Sequence, residues 1–212
     1  MRLNKHTASQ AGVHTTEHWN ERYSGDQVWS GQPNAALMRE VADLPVGRAL
    51  DVGCGEGADA VWLASQGWEV TALDISSQAI ERTLAAASEA GVTVTGVAEG
   101  LLESHLPATS FDLVSAQYPV LPSTSQHLAE GRLLDLVAPG GALLFVHHEL
   151  DREHAHAHGF NPDEFITPSH VRDHAVATGE WKVITDDRRE RHVAEGVGAH
   201  HSHDLIDRLV RV

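Results

Sequence analysis

Cysteine is almost absent: Cys54 is the only one in 212 residues. That excludes a disulfide framework and an all-cysteine zinc site. No apolar run approaches the roughly 18 residues a transmembrane helix needs, so no membrane partner is expected. The polar stretch Met1 to His14 lacks the apolar core of a secretory signal and reads as a flexible N-terminus ahead of one domain over residues 15–212. A cytoplasmic protein is expected. Bases are scarce, with 15 Lys and Arg against 30 Asp and Glu and a formal net charge of −15. A polyanion would be repelled on approach, because nucleic-acid binding depends on neutralising phosphates with Lys and Arg. Internal repeats are missing as well. What remains is a chain that is 42% hydrophobic, long enough for one α/β domain that buries roughly 70% of its unfolded surface.

Two periods alternate along most of the chain. Arg48 to Val52 is a short apolar run ended by Gly53, and reads as a strand. Ala58 to Gln66 reads as a helix stopped by Gly67, and Trp68 to Leu73 as a second strand. Ser76 to Ala90 carries Ala79, Ile80, Leu84 and Ala87 at helical spacing, with Ser76 or Ser77 as N-cap and Gly91 beyond its end. Val92 to Val97 and Phe111 to Ala116 read as strands, Gln126 to Val137 as a helix, and Ala142 to Val146 as the fifth strand. Strands separated by helices through short connections predict βαβ units and a parallel sheet. Upstream, Thr15 to Tyr23 and Asn34 to Leu44 read as two helices within a segment, 15–45, suited to act as a lid. Downstream, Pro168 to Thr178 looks helical and Trp181 to Thr185 extended. Leu205, Ile206, Leu209 and Val210 are spaced more like a helix than a strand.

The chemistry concentrates in Asp51-Val52-Gly53-Cys54-Gly55-Glu56-Gly57, between the first strand and the first helix of the sheet. Glycines there let the backbone turn tightly and approach a ligand at the carboxyl edge. Read as Gly53-x-Gly55-x-x-Ala58, the loop also fits a dinucleotide fingerprint, which keeps an NAD(P)-binding oxidoreductase open. Charge discriminates further. No Lys or Arg occurs from Ala49 to Glu81, whereas Asp51, Glu56, Asp59, Glu69, Asp74 and Glu81 are all acidic. A pyrophosphate among Asp51, Glu56 and Asp59 would face like charges, each pair costing up to several kcal/mol at an effective dielectric near about 20. A cationic ligand is favoured instead. Asp74 closes the second strand 21 residues beyond Gly53, where a carboxylate can take both hydroxyls of a ribose.

Leu50-Asp51-Val52-Gly53-Cys54-Gly55-Glu56-Gly57 resembles the first motif of class I S-adenosylmethionine-dependent methyltransferases. Leu73-Asp74-Ile75-Ser76, Phe111-Asp112-Leu113-Val114 and Leu136-Val137-Ala138-Pro139-Gly140-Gly141 extend the match in order, over residues 48–148. Trp19-Asn20-Glu21-Arg22-Tyr23 and Trp29-Ser30-Gly31-Gln32-Pro33-Asn34 resemble the small single-domain branch that includes tellurite-resistance and thiopurine methyltransferase-like proteins. The resemblance implies a Rossmann-like fold, a doubly wound, mostly parallel seven-stranded sheet whose last strand, near His203 to Val212, is antiparallel. It implies S-adenosylmethionine as cofactor, with Gly53, Cys54 and Gly55 under its methionine moiety and Asp51 near its amino group. Asp74 would hold the ribose, Ile75 would pack on adenine, and Gln117 would line the methionine carboxyl or methyl region. Val97-Ala98-Glu99 departs from the family's commoner Gly-Asp-Ala, so Glu99 stands in for the acid that meets the adenine amino group, beside Ala98.

Methyl transfer from a sulfonium is an in-line displacement that needs alignment and water exclusion and no metal. Gln117-Tyr118-Pro119-Val120 lacks the Asn/Asp-Pro-Pro-aromatic motif of enzymes that methylate base amines, so the expected acceptor is a small molecule. Trp19, Tyr23, Trp29, Asn34 and Tyr118 are candidates for the lid and acceptor wall. An S-adenosylmethionine-binding protein without catalysis is the remaining alternative. Histidine is abundant, 16 in all with 11 after residue 146. His147 and His148 fall at the carboxyl end of the fifth strand, where a neutral imidazole can take a proton from an acceptor or satisfy a loop carbonyl. The tracts His154, His156, His158 and His200, His201, His203 lack the spacing of a fixed metal shell. Cys54, without a paired histidine, reads as a small packing residue rather than a nucleophile.

Overall fold

The computed structural model describes residues 15–149, 161–190 and 202–212. The stretch Met1 to His14 and the tracts around His154 and His200 lie outside the described residues. In chain order the elements are α1 (Thr16–Arg22), α2 (Ala35–Glu40), β1 (Arg48–Val52), α3 (Ala58–Ser65), β2 (Glu69–Asp74), α4 (Ser77–Glu89), β3 (Val94–Ala98) and β4 (Phe111–Gln117). They are followed by α5 (Leu128–Leu136), β5 (Val137–His148), a 3-10 turn at Pro162–Glu164, α6 (Pro168–Thr178), β6 (Trp181–Glu190) and β7 (His203–Arg211).

The seven strands form one sheet in the order β3-β2-β1-β4-β5-β7-β6. β1 pairs in parallel with β2 and β4, β2 with β3, and β4 with β5, while β7 runs antiparallel to both neighbours. The central strands are apolar on both faces because helices cover both, as parallel sheets require. On one face Ala49, Val70, Leu113, Leu144 and Ile206 pack with Leu37, Leu63 and Ile80 of α2, α3 and α4. On the other, Leu50, Val114, Leu143, Phe145 and Leu209 pack with Leu133 of α5 and Val171 of α6. Among the described residues no helix is long and apolar enough to cross a membrane.

Most local rules hold. Ser76 caps α4, its hydroxyl accepting from the Ala79 N–H at 3.2 Å, and Gly91 follows the helix at φ +71°. Several boundaries differ from the expectation, β6 among them, which runs to Glu190 rather than Thr185. α2 and α5 are each shorter than their apolar periods suggest. β5 starts at Val137, taking in Pro139-Gly140-Gly141 instead of beginning at Ala142. The register shifts there against β4, Gly140 sits at φ +80°, and a Cβ on Gly141 would come within 3.0 Å of three backbone carbonyls. This is a bulge that only small residues allow. β7 is a strand despite its helix-like spacing. Ile206 and Leu209 fall on opposite faces of the sheet, so an i, i+3 pair reports a strand buried on both sides.

Candidate active site at the carboxyl edge of the sheet

The loop after β1 turns on three left-handed glycines, Gly53 at φ +72°, Gly55 at +55° and Gly57 at +85°. It is pinned to β2 by the N–H groups of Gly53 and Cys54, which donate to the Leu73 carbonyl at 2.7 and 3.1 Å. Space above Gly53 is open, since a Cβ built there meets nothing within 4 Å. Gly55 is different: its Cβ would lie 3.1 Å from both the Tyr23 hydroxyl and Trp29 Nε1.

Asp74 braces this turn. Its Oδ2 accepts from the Gly55 N–H at 3.0 Å and its Oδ1 from the Ser76 N–H at 2.9 Å. Each oxygen keeps a second lone pair for a further donor. Burial raises the Asp74 carboxyl above its ordinary value, and these two N–H groups work against that rise. Asp51, at the end of β1, is 2% exposed and its Oδ2 has no hydrogen-bond partner. Burial, then the charges of Asp59 and Asp74, push its carboxyl well above the usual carboxylate range. On the neighbouring strand Gln117 donates through Nε2 to Ser115 Oγ at 3.0 Å, while its Oε1 is buried and unpartnered. Ser115 stands opposite Asp51 in the β1–β4 register. Two orphaned acceptors therefore sit on adjacent strands, each costing about 1–3 kcal/mol until a donor arrives.

Ile75, Ala98 and Glu99 come together in the wall of a cleft of about 550 Å³, which Thr15, Thr16 and Glu17 also line. The Glu99 carboxylate accepts from the His105 N–H at 3.0 Å and lies 3.3 Å from its ring Nδ1, which lowers its pKa. Cys54 Sγ is buried 3.5 Å from Thr83 Oγ1, and burial raises its pKa, which keeps it a thiol. That agrees with a packing role.

The N-terminal segment lies over the loop. Tyr23 is buried, accepts from Trp29 Nε1 at 2.9 Å and stacks on Trp19. Arg22 lies 5.3 Å over the Trp29 ring. Asn34 holds the base of the segment, donating to Asp59 through both its backbone and its side chain. Glu56 accepts from the Val28 and Trp29 N–H groups at 3.1 and 2.9 Å and pairs with Arg82, which also donates to the carbonyls of Gly25 and Asp26. The acids of the loop thus have separate partners: Glu56 is neutralised and Asp59 is occupied by Asn34. Asp51 alone keeps a bare buried oxygen. Arg82 is the first base after the base-free stretch, but nothing in the sequence ties it to Glu56, 26 positions earlier.

At the ends of β4 and β5 the two histidines differ. His147 is half-buried, its Nδ1 lies 3.2 Å from the His148 carbonyl, and desolvation lowers its pKa. His148 Nδ1 lies 3.2 Å from Asp204 Oδ1, and its ring stacks on Tyr118 with centroids 4.1 Å apart. The Tyr118 hydroxyl donates to Asp204 Oδ2 at 2.9 Å. Asp204, on β7, carried no signal in the sequence. Among the described residues no group of three His, Cys, Asp or Glu side chains could hold a metal ion.

This strand order, with the glycine turn and two acids at the carboxyl ends of β1 and β2, defines a Rossmann-like methyltransferase fold. The solved N-methyltransferase NodS of Bradyrhizobium japonicum, in complex with S-adenosyl-L-homocysteine, shares it with a TM-score of 0.69 at 18% identity over 92% of this chain and 97% of that one. A structure from work on converting a disulfide bond into a thioacetal group in echinomycin biosynthesis shares it with a TM-score of 0.73 at 23% identity, covering 92% of both chains. A model of the methyltransferase domain matches residues 49–141. An uncharacterized methyltransferase of Mycobacterium tuberculosis is 32% identical over 122 residues, 57% of this chain. The chain matches 61% of the length of that curated relative. Over residues 49–141 the chain is similar to the methyltransferase domain family.

Proposed function

We propose that the protein transfers the methyl group of S-adenosylmethionine to a small-molecule acceptor in the cytoplasm. The observation that carries this reading is the pair of buried, unpartnered acceptors, Asp51 Oδ2 and Gln117 Oε1, at adjacent strand ends. They fit an ammonium group, which supplies several donors and a positive charge to a site rich in acids. When bound, S-adenosylmethionine supplies an electrophilic methyl on a sulfonium.

The chain's own residues do the rest. Asp51 and Gln117 hold the amino end, and Gly53, Cys54 and Gly55 form the floor with their backbone. Asp74 offers its remaining lone pairs to the ribose hydroxyls while bracing the loop. Ile75 and Ala98 pack on the adenine, and Glu99 meets its amino group. Trp19, Tyr23 and Trp29 cover the site and exclude water, held down by Glu56, Arg82 and Asn34. Positioning of this kind lowers the barrier of an in-line displacement by several kcal/mol. Tyr118, His147 and His148 bound the acceptor side. The net charge of −15 disfavours nucleic acid as acceptor.

Calorimetric titration with S-adenosylmethionine, S-adenosylhomocysteine and NAD tests the reading. Binding of the first two is expected, and binding of NAD alone would replace the proposal with an oxidoreductase. A small-molecule acceptor screen with labelled cofactor then tests the acceptor class, and label only on nucleic acid or protein would refute that part.

A further inference from the structure

Three side chains from three separate strand ends meet at the carboxyl edge on the α2–α3 face of the sheet. His148 ends β5, Tyr118 follows β4, and Asp204 opens β7. Tyr118 N–H donates to the Val146 carbonyl at 2.8 Å, which places Tyr118 alongside the end of β5. Its backbone sits at φ +53°, a left-handed conformation unusual for an aromatic residue and typical of sites where strain is held for a purpose. Asp204 is buried, and among the described residues its carboxylate meets the imidazole Nδ1 at 3.2 Å and the phenol at 2.9 Å. An ionised carboxylate only accepts, so it holds the Nδ1 proton and selects the tautomer with its lone pair on Nε2. Tyr118, stacked on the ring and tied to the same carboxylate, fixes the imidazole plane. A histidine that merely satisfied a loop would not need its tautomer and its plane fixed by two residues from other strands.

Resting on the methyltransferase reading, we infer that His148 is the base for a protic acceptor, a thiol or a hydroxyl compound, and that Asp204 and Tyr118 are its positioning residues. The acceptor's S–H or O–H proton passes to His148 Nε2. The acceptor's electron pair forms the new bond to the methyl carbon as the carbon–sulfur bond of the sulfonium breaks, leaving that pair on a neutral thioether. Protons and electrons balance without a further reactant. Among the described residues, the groups around His148 are His147 from its own strand, Tyr118 from the β4 end and Asp204 from β7. Arg189 of β6 stands in register with Asp204, and its guanidinium is committed to Asp187 and Glu40. Glu149, beyond His148, pairs with Arg188.

Two probe thiols separate proton removal from mere shape. 2-Mercaptoethanol is mostly protonated at neutral pH, and 4-nitrothiophenol is mostly ionised. Wild type, His148→Gln, Asp204→Asn and Tyr118→Phe are titrated calorimetrically with S-adenosylmethionine and assayed for methylation of both thiols across pH. Unchanged cofactor affinity establishes that each variant is folded. His148→Gln and Asp204→Asn should lose about 10²-fold or more on 2-mercaptoethanol, with the histidine limb of the pH profile, and little on 4-nitrothiophenol. Tyr118→Phe should show a smaller loss of the same selectivity. Equal losses on both thiols would overturn the inference, as would wild type that binds S-adenosylmethionine yet methylates neither thiol. Wild type that fails to bind S-adenosylmethionine would overturn the methyltransferase reading and the inference with it.

Discussion

Both carboxylate oxygens of Asp59 are taken by one residue, Asn34: Oδ1 by its backbone N–H at 2.7 Å and Oδ2 by its side-chain amide at 2.6 Å. Asp59 lies in the first turn of α3 and Asn34 caps α2. The residue that follows the glycine turn by two positions therefore also sets where the covering segment begins.

Asp74→Ala should weaken S-adenosylmethionine binding by roughly 10- to 100-fold, because charge-assisted hydrogen bonds to the ribose are lost and partly replaced by water. The loss should exceed that of Asp74→Asn, which still accepts at one position. Calorimetric dissociation constants for the three proteins check this. An unchanged constant in Asp74→Ala would remove the ribose role.

Asp51 should release a proton when the cofactor binds. Its carboxyl lies well above the ordinary range through burial and the nearby Asp59 and Asp74, and an ammonium beside it favours the charged form. Affinity should rise as pH rises through the elevated value. Calorimetry in two buffers of different ionisation enthalpy counts the proton, and Asp51→Asn should abolish the release. Identical apparent enthalpies for wild type in both buffers would contradict the placement.

Arg82→Met should loosen the segment over the loop, because Glu56, only 10% exposed, would lose its charged partner. Cofactor affinity should fall about tenfold, equivalent to about 1.4 kcal/mol and within the range for one hydrogen-bonded charge. Protease cleavage between residues 24 and 33 should accelerate, and S-adenosylhomocysteine should protect. Cleavage at the wild-type rate would show that the Glu56–Arg82 contact does not hold the segment.

The buried Asp207 makes folding stability pH-dependent at a distance from the loop. Burial pushes its pKa from 3.8 up to about 6, although Arg172 lies 3.1 Å away and opposes the rise. A raised acid contributes stability that is fully present below its unfolded value and is lost as pH rises through the folded one. Denaturant midpoints of wild type should therefore fall, relative to Asp207→Asn, between about pH 4 and 6.5. Parallel curves for the two proteins would remove the assignment.

The first five strands were readable because each is a short apolar run punctuated by glycine or a helix cap, and those signals are local. β7 was not readable from its period, since burial on both faces places Ile206 and Leu209 at a helical interval, and only the family resemblance pointed to a strand there. The glycine turn and the carboxylate at the end of β2 were readable from local spacing, and the structure brings Ile75, Ala98 and Glu99 together in one cleft. Which acids keep a bare oxygen was not readable. Arg82 meets Glu56 across 26 positions, and Tyr118 meets Asp204 across 86. Partnerships at such separations depend on the completed sheet, and no periodicity carries them.

β7 follows β6 in the chain yet lies between β5 and β6. The sheet therefore cannot grow outward strand by strand in the order of synthesis. β6 has no neighbour to join until β7 has been made and threaded alongside β5, a long-range pairing that folds slowly. Until then the edge of β5 stands open and Asp204 is nowhere near His148. The pairing of β1 to β5 needs only chain made before β6, whereas the contact of Asp204 with His148 needs the last strand. Pairing thus has a built-in order, with the strands that carry the glycine turn preceding the His148–Asp204 contact.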